Sequence, residues 1–195
     1  MARSVVSEIK RDHIHRLIAD GRRVDGRAWD QYREIMVQTN VVETAEGSAR
    51  VKIGNTEVIV GLKMTVGEPF PDTPNRGVLS TNAELIPMAS PSFESGPPDE
   101  NSIELARVVD RGIRESQMID LERLCVEPGK KVWINFLDIY VLDFDGNLFD
   151  ACNLGAVAAI KSATVPAKAN GLGEDFPMPV TCTPVAVTSV QIENS

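Results

Sequence analysis

The stretch at residues 132–160, VWINFLDIYVLDFDGNLFDACNLGAVAAI, decides the fold of this chain. Its first part, residues 132–142, is almost continuously apolar and rich in β-branched and aromatic residues, which predicts a strand covered on both faces. The polar segment at 143–147 contains an Asp-Gly pair, which is typical of a tight turn because glycine adopts positive φ without strain. A run of small and apolar residues then predicts a helix packed closely against a sheet. The unit is thus a strand, a turn, a short extended piece and a buried helix.

The turn before this predicted helix is a poor place for an anion. A helix N-terminus attracts phosphate through its free N–H groups and its dipole. The residues at this N-terminus, however, are Asn147, Leu148, Phe149 and Asp150, without a glycine run or a basic side chain. The carboxylate of Asp150 would repel an anion and is better interpreted as a helix cap. The residues therefore argue against a phosphate site here.

Length, composition and charge limit the class of protein. The 195 residues suffice for one substantial domain, or for one domain and part of another. No apolar run approaches the roughly 20 residues of a membrane span, and the charged N-terminus does not resemble a signal peptide. Three widely separated cysteines, Cys125, Cys152 and Cys182, are interpreted as reduced core residues of a cytoplasmic protein. A net charge of −8 argues against a generic nucleic-acid surface but allows a local basic stripe.

The rest of the chain predicts helices, strands and loops around the central unit. Residues 4–19 carry apolar side chains at helical spacing, so a first amphipathic helix is expected before Gly21. Further strands are predicted at 34–42, 47–53, 56–66, 77–87 and 180–192. The Gly-Asn link at 54–55 indicates a hairpin between two of them. The Pro-rich stretches at 69–75 and 89–99 are predicted loops, and residues 118–126 a short helix or turn.

A second helix is predicted at residues 102–116, SIELARVVDRGIRES. Its apolar stripe is formed by Ile103, Ala106, Val109 and Ile113. Three arginines recur at i, i+4 and i+7 along a different face, namely Arg107, Arg111 and Arg114. They either form a solvated face in which Glu104 and Asp110 pair with them, each pair contributing about 0.2–0.5 kcal/mol, or bind the phosphates of a single RNA strand.

Four stretches together resemble the ribonuclease PH family. They are GSARVKIGNTEVIV, SIELARVVDRGIR, DGNLFDACNLGAVAAI and the early motif Arg23-x-Asp25-Gly26-Arg27. The resemblance runs from about residue 21 to 190, and within the family it is greatest to the non-catalytic ring subunits of the archaeal exosome. It implies an α+β fold of β-α-β units, with a mixed sheet and packed helices. The implied division is an N-terminal helix at 1–20, a ribonuclease PH-like domain 1 at 21–190, and at 191–195 the start of a second part, so the C-terminal part is expected to be truncated.

The resemblance also implies which side chains the cleavage of RNA by phosphate would need. Active members cleave RNA from the 3′ end with inorganic phosphate as the nucleophile, held by a Gly-Ser/Thr-Arg segment after the Asp-Gly turn. In this chain Phe149 stands where that arginine would be, Asn101 matches a second family arginine, and Thr183 matches the catalytic aspartate. Each such loss typically costs a factor of about 10² or more. We therefore expect no catalytic residue and no cofactor. The Asp-rich turn lacks the later glutamate of a calcium loop, so no metal site is expected either.

The function expected from the resemblance is a non-catalytic, RNA-binding structural subunit of the exosome core ring. It would pair with a homologous catalytic subunit, three of each, thread RNA through a central channel and meet RNA-binding cap proteins. Arg107 and Arg111, ahead of Arg114, are the expected contacts to RNA. One alternative is that the chain is itself an active phosphate-dependent 3′-to-5′ exoribonuclease. Another is a scaffold that binds only protein.

Overall fold

The computed structural model describes residues 8–28 and 30–191 of the chain. The helices are α1 (Glu8–Ala19), α2 (Glu100–Glu115) and α3 (Leu148–Ser162), with a short 3₁₀ helix at Lys168–Asn170. The strands are β1 (Ile35–Thr39), β2 (Gly47–Ile53), β3 (Thr56–Gly67), β4 (Val78–Leu85), β5 (Cys125–Glu127), β6 (Lys131–Asp143), β7 (Thr164–Val165) and β8 (Phe176–Pro177). Within these residues no helix is both long and apolar enough to cross a bilayer.

The main sheet is mixed, as predicted, and strand β6 lies inside it. Its strand order is β1-β2-β3-β6-β4, and β5 also pairs with β6. All neighbours are antiparallel except β4 and β6, which run parallel and are separated in sequence by α2. The β2–β3 hairpin turns through Gly54 and Asn55, as predicted, with Gly54 at φ +62°. The α+β fold expected from the sequence is confirmed.

Helices α2 and α3 cover one face of this sheet, and small residues let α3 come close. A Cβ placed on Gly155 would lie 2.7 Å from Cγ2 of Val60 on β3. A Cβ placed on Gly47 at the start of β2 would overlap the carbonyl oxygen of Ala159. Ala151, Ala156 and Ala159 of α3 are buried in the same interface. The hydrophobic core therefore lies between the two helices and this face of the sheet.

The opposite face of the sheet is not covered by any described residues in its centre, which contradicts the prediction that β6 is covered on both faces. Along β6, Leu137 and Ile139 are buried, whereas Phe136 and Tyr140 are 40% and 38% exposed. An apolar run does not distinguish a buried second face from a half-exposed one, since aromatic and β-branched residues suit both. The predicted short extended piece is also absent, because α3 begins at Leu148 directly after the turn.

Two further predictions were wrong, the first of them only for Ile103 among the four stripe residues of α2. In α2, Ile103 is 48% exposed, and the buried side chains are Ser102, Leu105, Ala106, Val109 and Ile113. The strand predicted at 180–192 does not form in the described part of that segment, where only an isolated bridge joins Val180 to Ile119. Val185 is 80% exposed there. The β propensity of these residues has no partner strand to pair with among the described residues.

The prediction of a short helix or turn at residues 118–126 is confirmed for the turn, and the ends of two other predicted segments are not described. Residues 118–126 form turns and the start of β5. Residues 4–7 and 192–195 lie outside the described residues, so the predicted ends of the first helix and of the last segment are not described.

Candidate RNA-binding surface

Helix α2 begins at a well-formed cap. Asp99 accepts hydrogen bonds from the backbone N of Ser102 at 2.8 Å and from the side-chain amide of Asn101 at 2.9 Å. The bond from the Ser102 backbone, followed by that from Asn101, holds the pKa of Asp99 below its usual value. Asn101, which matches a family arginine, thus serves the cap of α2.

The three predicted arginines lie on the outward side of α2, and all are exposed. Arg114 is already paired, since its Nε and Nη2 donate to the two carboxylate oxygens of Asp110, both at 2.9 Å. Nη2 of Arg114 also donates to the carbonyl of Leu79 at 3.0 Å. The hydrogen bond with Asp110 raises the pKa of Arg114 above its usual value.

Arg107 and Arg111 differ from Arg114. In the part of the chain that the structure describes, neither makes a hydrogen bond or an ion pair. The predicted pairing of the stripe with Asp110 therefore holds for Arg114, whereas Glu104 forms no ion pair with any described residue. Two guanidinium groups, on one side of the helix and about 6 Å apart along its axis, remain available for an anion.

A cleft of about 590 Å³ lies beside this surface, between α2, the start of α3 and the segment at 184–189. It is lined by Val108, Gly112, Phe149, Asn153, Pro184, Val185, Ala186, Val187, Thr188 and Ser189. No charged side chain is among these lining residues. The Thr188 hydroxyl donates to Asp150 at 2.7 Å and so ties the segment to α3. The cleft is neutral and offers an aromatic wall where the family would place a phosphate-binding arginine.

The N-terminus of α3 is capped by Asn147 and not, as predicted, by Asp150. Asn147 has φ +58°, its side-chain oxygen accepts from the backbone N of Asp150 at 3.4 Å, and its amide donates to the Asp150 carboxylate at 2.8 Å. Asp150 lies in the first turn, where its negative charge favours the helix dipole. A carboxylate at this position opposes the binding of a phosphate.

Sequence reasoning missed the residue that holds the turn before α3. The Arg33 guanidinium donates to the carbonyls of Asp145 at 2.7 Å and Gly146 at 3.0 Å. The Thr56 hydroxyl donates to the Gly146 carbonyl at 2.8 Å. No local pattern could have indicated these contacts, because the partners lie about a hundred positions apart.

The other side chains that could be reactive or bind a metal lie in ordinary structural surroundings. Thr183, which matches the family aspartate, is exposed and accepts from Nζ of Lys161 at 3.2 Å. Burial raises the pKa of the Cys152 thiol to about 12, so it stays protonated near neutral pH. Across residues 8–28 and 30–191, no three His, Cys, Asp or Glu side chains are placed to hold a metal ion together.

Comparison with known proteins identifies the family. The family model described as "3' exoribonuclease family, domain 1" matches residues 31–166. The chain belongs to this family. Among curated members of it, the exosome complex component Rrp42 of Methanocella arvoryzae is 58% identical over 192 residues, covering 98% of this chain and 74% of that protein. The Rrp42 of Archaeoglobus fulgidus is 56% identical over 194 residues, covering 100% of this chain and 75% of its own length.

Solved structures of family members agree with this membership. A chain of the Archaeoglobus fulgidus exosome with RNA bound to the active site superposes with a TM-score of 0.93 at 56% identity, covering 98% of this chain and 75% of that one. A chain of an archaeal exosome core gives a TM-score of 0.87 at 53% identity, covering 96% and 72%. The ribonuclease PH-type fold inferred from the sequence is therefore confirmed.

Proposed function

We propose that this chain is a non-catalytic, RNA-binding subunit of the exosome core ring, supporting 3′-to-5′ phosphorolytic RNA degradation by a homologous active subunit. The observation that carries this proposal is the neutral cleft at the start of α3, where Phe149 forms a wall and Asp150 occupies the first helical turn. Relatives 56–58% identical to this chain are named exosome components, which supports the same assignment.

The lack of catalysis follows from electrostatics. The nucleophile of phosphorolysis is an inorganic phosphate, which needs cations or several free N–H groups to be held against the RNA. The cleft supplies neither an arginine nor a lysine, and Asp150 adds a negative charge beside it. Each missing phosphate ligand or acid typically costs a factor of about 10² or more, so the active partner is the one expected to perform the reaction.

The RNA contacts are proposed to be Arg107 and Arg111, with Arg114 third. The first two are exposed and unpaired among the described residues, whereas the charge of Arg114 is largely neutralised by Asp110. Arginine suits this role because its planar fork of donors matches the oxygens of a phosphate. The net charge of −8 makes these arginines a local positive site on an acidic protein.

Several finer points belong to the same proposal. The ring is proposed to contain three copies of this chain and three of the active subunit, with RNA-binding cap proteins attached. We place the chain in the cytoplasm because its three cysteines are far apart in the sequence, although only Cys152 lies in the core, with Cys125 half-buried and Cys182 exposed. We also keep the division into an N-terminal helix at 1–20, a ribonuclease PH-like domain 1 at 21–190 and the start of a second part at 191–195.

The test is RNA degradation with and without inorganic phosphate. Three samples are compared: this protein alone, the active homologue alone, and the two mixed. We expect this protein to be inert and the mixture to exceed the homologue. Phosphate-dependent release of nucleoside diphosphates by this protein alone would favour the active-enzyme alternative. If an Arg107→Gln/Arg111→Gln variant stimulates RNA degradation by the active homologue as much as the wild type does, the alternative of a scaffold that binds only protein would be favoured.

A further inference from the structure

A shallow depression lies in the middle of the bare face of the sheet. At its floor is Gly61 of β3, and a Cβ placed there would meet no atom within 4 Å. Gly61 pairs with Asp138 of β6, and the flanking cross-strand pair on the same face is Ile59 with Tyr140. On the other side of Asp138 lies Phe136. We name these five residues the Gly61 depression.

The walls of the Gly61 depression are apolar and aromatic, yet they stay partly exposed. Phe136 and Tyr140 are each more than a third exposed, and Ile59 is half-buried. The other face of the same strands is fully packed, since Val58, Val60 and Leu62 have no exposed surface. A surface depression with aromatic walls is typical of an anchor site in a protein–protein interface.

Some charged side chains on this face have an ion-pair partner, and others have none. On the β2–β3 side, Glu57 pairs with Arg50, and Lys63 pairs with Glu46 at 2.6 Å. By contrast, Asp138 in the Gly61 depression and Glu84 beside it have no basic partner among the described residues. Burial, and then the nearby charge of Glu84, raises the pKa of Asp138. The isolated chain therefore holds a half-buried carboxylate that lacks its counter-charge.

The aromatic walls and the two carboxylates limit which kind of partner this face can bind. RNA is disfavoured, because its phosphates would approach two carboxylates that have no counter-charge among the described residues. A second copy packed through this same face would bring the two acidic sites together, which is equally unfavourable. An arginine satisfies both features, since its stem and guanidinium plane pack on aromatic rings while the charge pairs with carboxylates. The chemistry of this face therefore fits a protein that presents an arginine.

We propose that the bare sheet face docks the homologous active subunit, which inserts an arginine side chain into the Gly61 depression and pairs it with Asp138 and Glu84. The identity of this partner rests on the proposed function. Protein and RNA then bind opposite sides of the molecule, because α2 with Arg107 and Arg111 covers the other face of the sheet.

Two substitutions test this proposal in different ways. Gly61→Leu fills the depression, and the site tolerates a side chain because it has open space and no positive φ. Asp138→Asn keeps the shape but removes the charge. Thr164→Leu and Asp72→Asn, at exposed positions elsewhere, are the matched controls. Dissociation constants between each full-length variant and the active homologue are measured by calorimetry without RNA, after circular dichroism has verified folding.

We expect Gly61→Leu and Asp138→Asn each to weaken the complex at least about tenfold, as for loss of a buried anchor or its counter-charge, and the controls to leave it unchanged. The weakening for Asp138→Asn should shrink at high salt. Unchanged affinity for both test variants, while the wild type forms the complex, would overturn the docking site but leave the proposed function standing. No complex for the wild type would overturn the proposed ring assembly itself, and with it this partner.

Discussion

Neutralising Arg107 and Arg111 with glutamine should flatten the salt dependence of RNA binding by the assembled ring. Each phosphate contact on a single strand contributes about 0.7 to the slope of log affinity against log salt. Two contacts therefore contribute about 1.4 for every copy of this chain that the strand touches. Where the strand touches one copy, the wild-type ring should thus lose about sevenfold more affinity than the variant ring between 50 and 200 mM salt.

Fluorescence anisotropy of a labelled single-stranded RNA, in phosphate-free buffer to prevent phosphorolysis, measures both slopes. Arg114→Gln is the comparison variant, because Arg114 is the third proposed contact and Asp110 already pairs with its guanidinium at 2.9 Å. We expect it to flatten the slope by clearly less than the double variant does. A double variant with the wild-type slope would refute the assignment of Arg107 and Arg111. A comparison variant that flattens the slope as much as the double variant would show that ion pairing in α2 does not decide which arginine binds.

Three further substitutions test the fold. Gly47→Ala should cost about 1–3 kcal/mol in urea unfolding, because its Cβ would overlap the Ala159 carbonyl; an unchanged midpoint would contradict this. The pKa of Asp138 is raised in the folded protein, so the folded state binds this proton more tightly than the unfolded state. The free energy of unfolding therefore falls as pH rises and the carboxyl group ionises. In thermal melts, Asp138→Asn should stabilise the protein more at pH 7 than at about pH 3. An equal gain at both pH values would refute that reasoning. Asn147→Ala should cost about 1–3 kcal/mol by losing a cap and straining φ +58°, whereas Asn147→Gly, which relieves the strain, should cost clearly less.

Features set by neighbouring residues could be predicted from the sequence. The β2–β3 hairpin follows from the Gly54-Asn55 link, and the outward position of the arginines follows from helical spacing. Which apolar residues of α2 are buried depends instead on how the helix lies on the sheet. Leu105 and Ile103 are both good core candidates, and only packing against the sheet selects Leu105. Periodicity alone does not contain that information.

At the candidate RNA-binding surface, prediction from the sequence is limited in the same way and to a greater extent. The arginine positions came from spacing, and the loss of the phosphate ligand came from the resemblance to the family. Arg33, which holds the turn before α3, had no signal because its partners are distant in the chain. The segment at 180–192 carries strand residues, but a strand also requires a partner, and only Val180 finds one among the described residues.

The position of β6 between β3 and β4 also dictates the order in which the newly made polypeptide can fold. Strand β3 ends at Gly67, but its neighbour β6 is complete only at Asp143. At about 5–20 residues per second, translation leaves the edge of β3 unpaired for roughly 4–15 s. Helix α2 emerges during this interval with no sheet to receive its apolar side. An exposed strand edge and an exposed apolar helix face are the features that promote aggregation of nascent chains. Ribosome-bound intermediates of this protein should therefore depend on chaperones until residue 143 has left the exit tunnel.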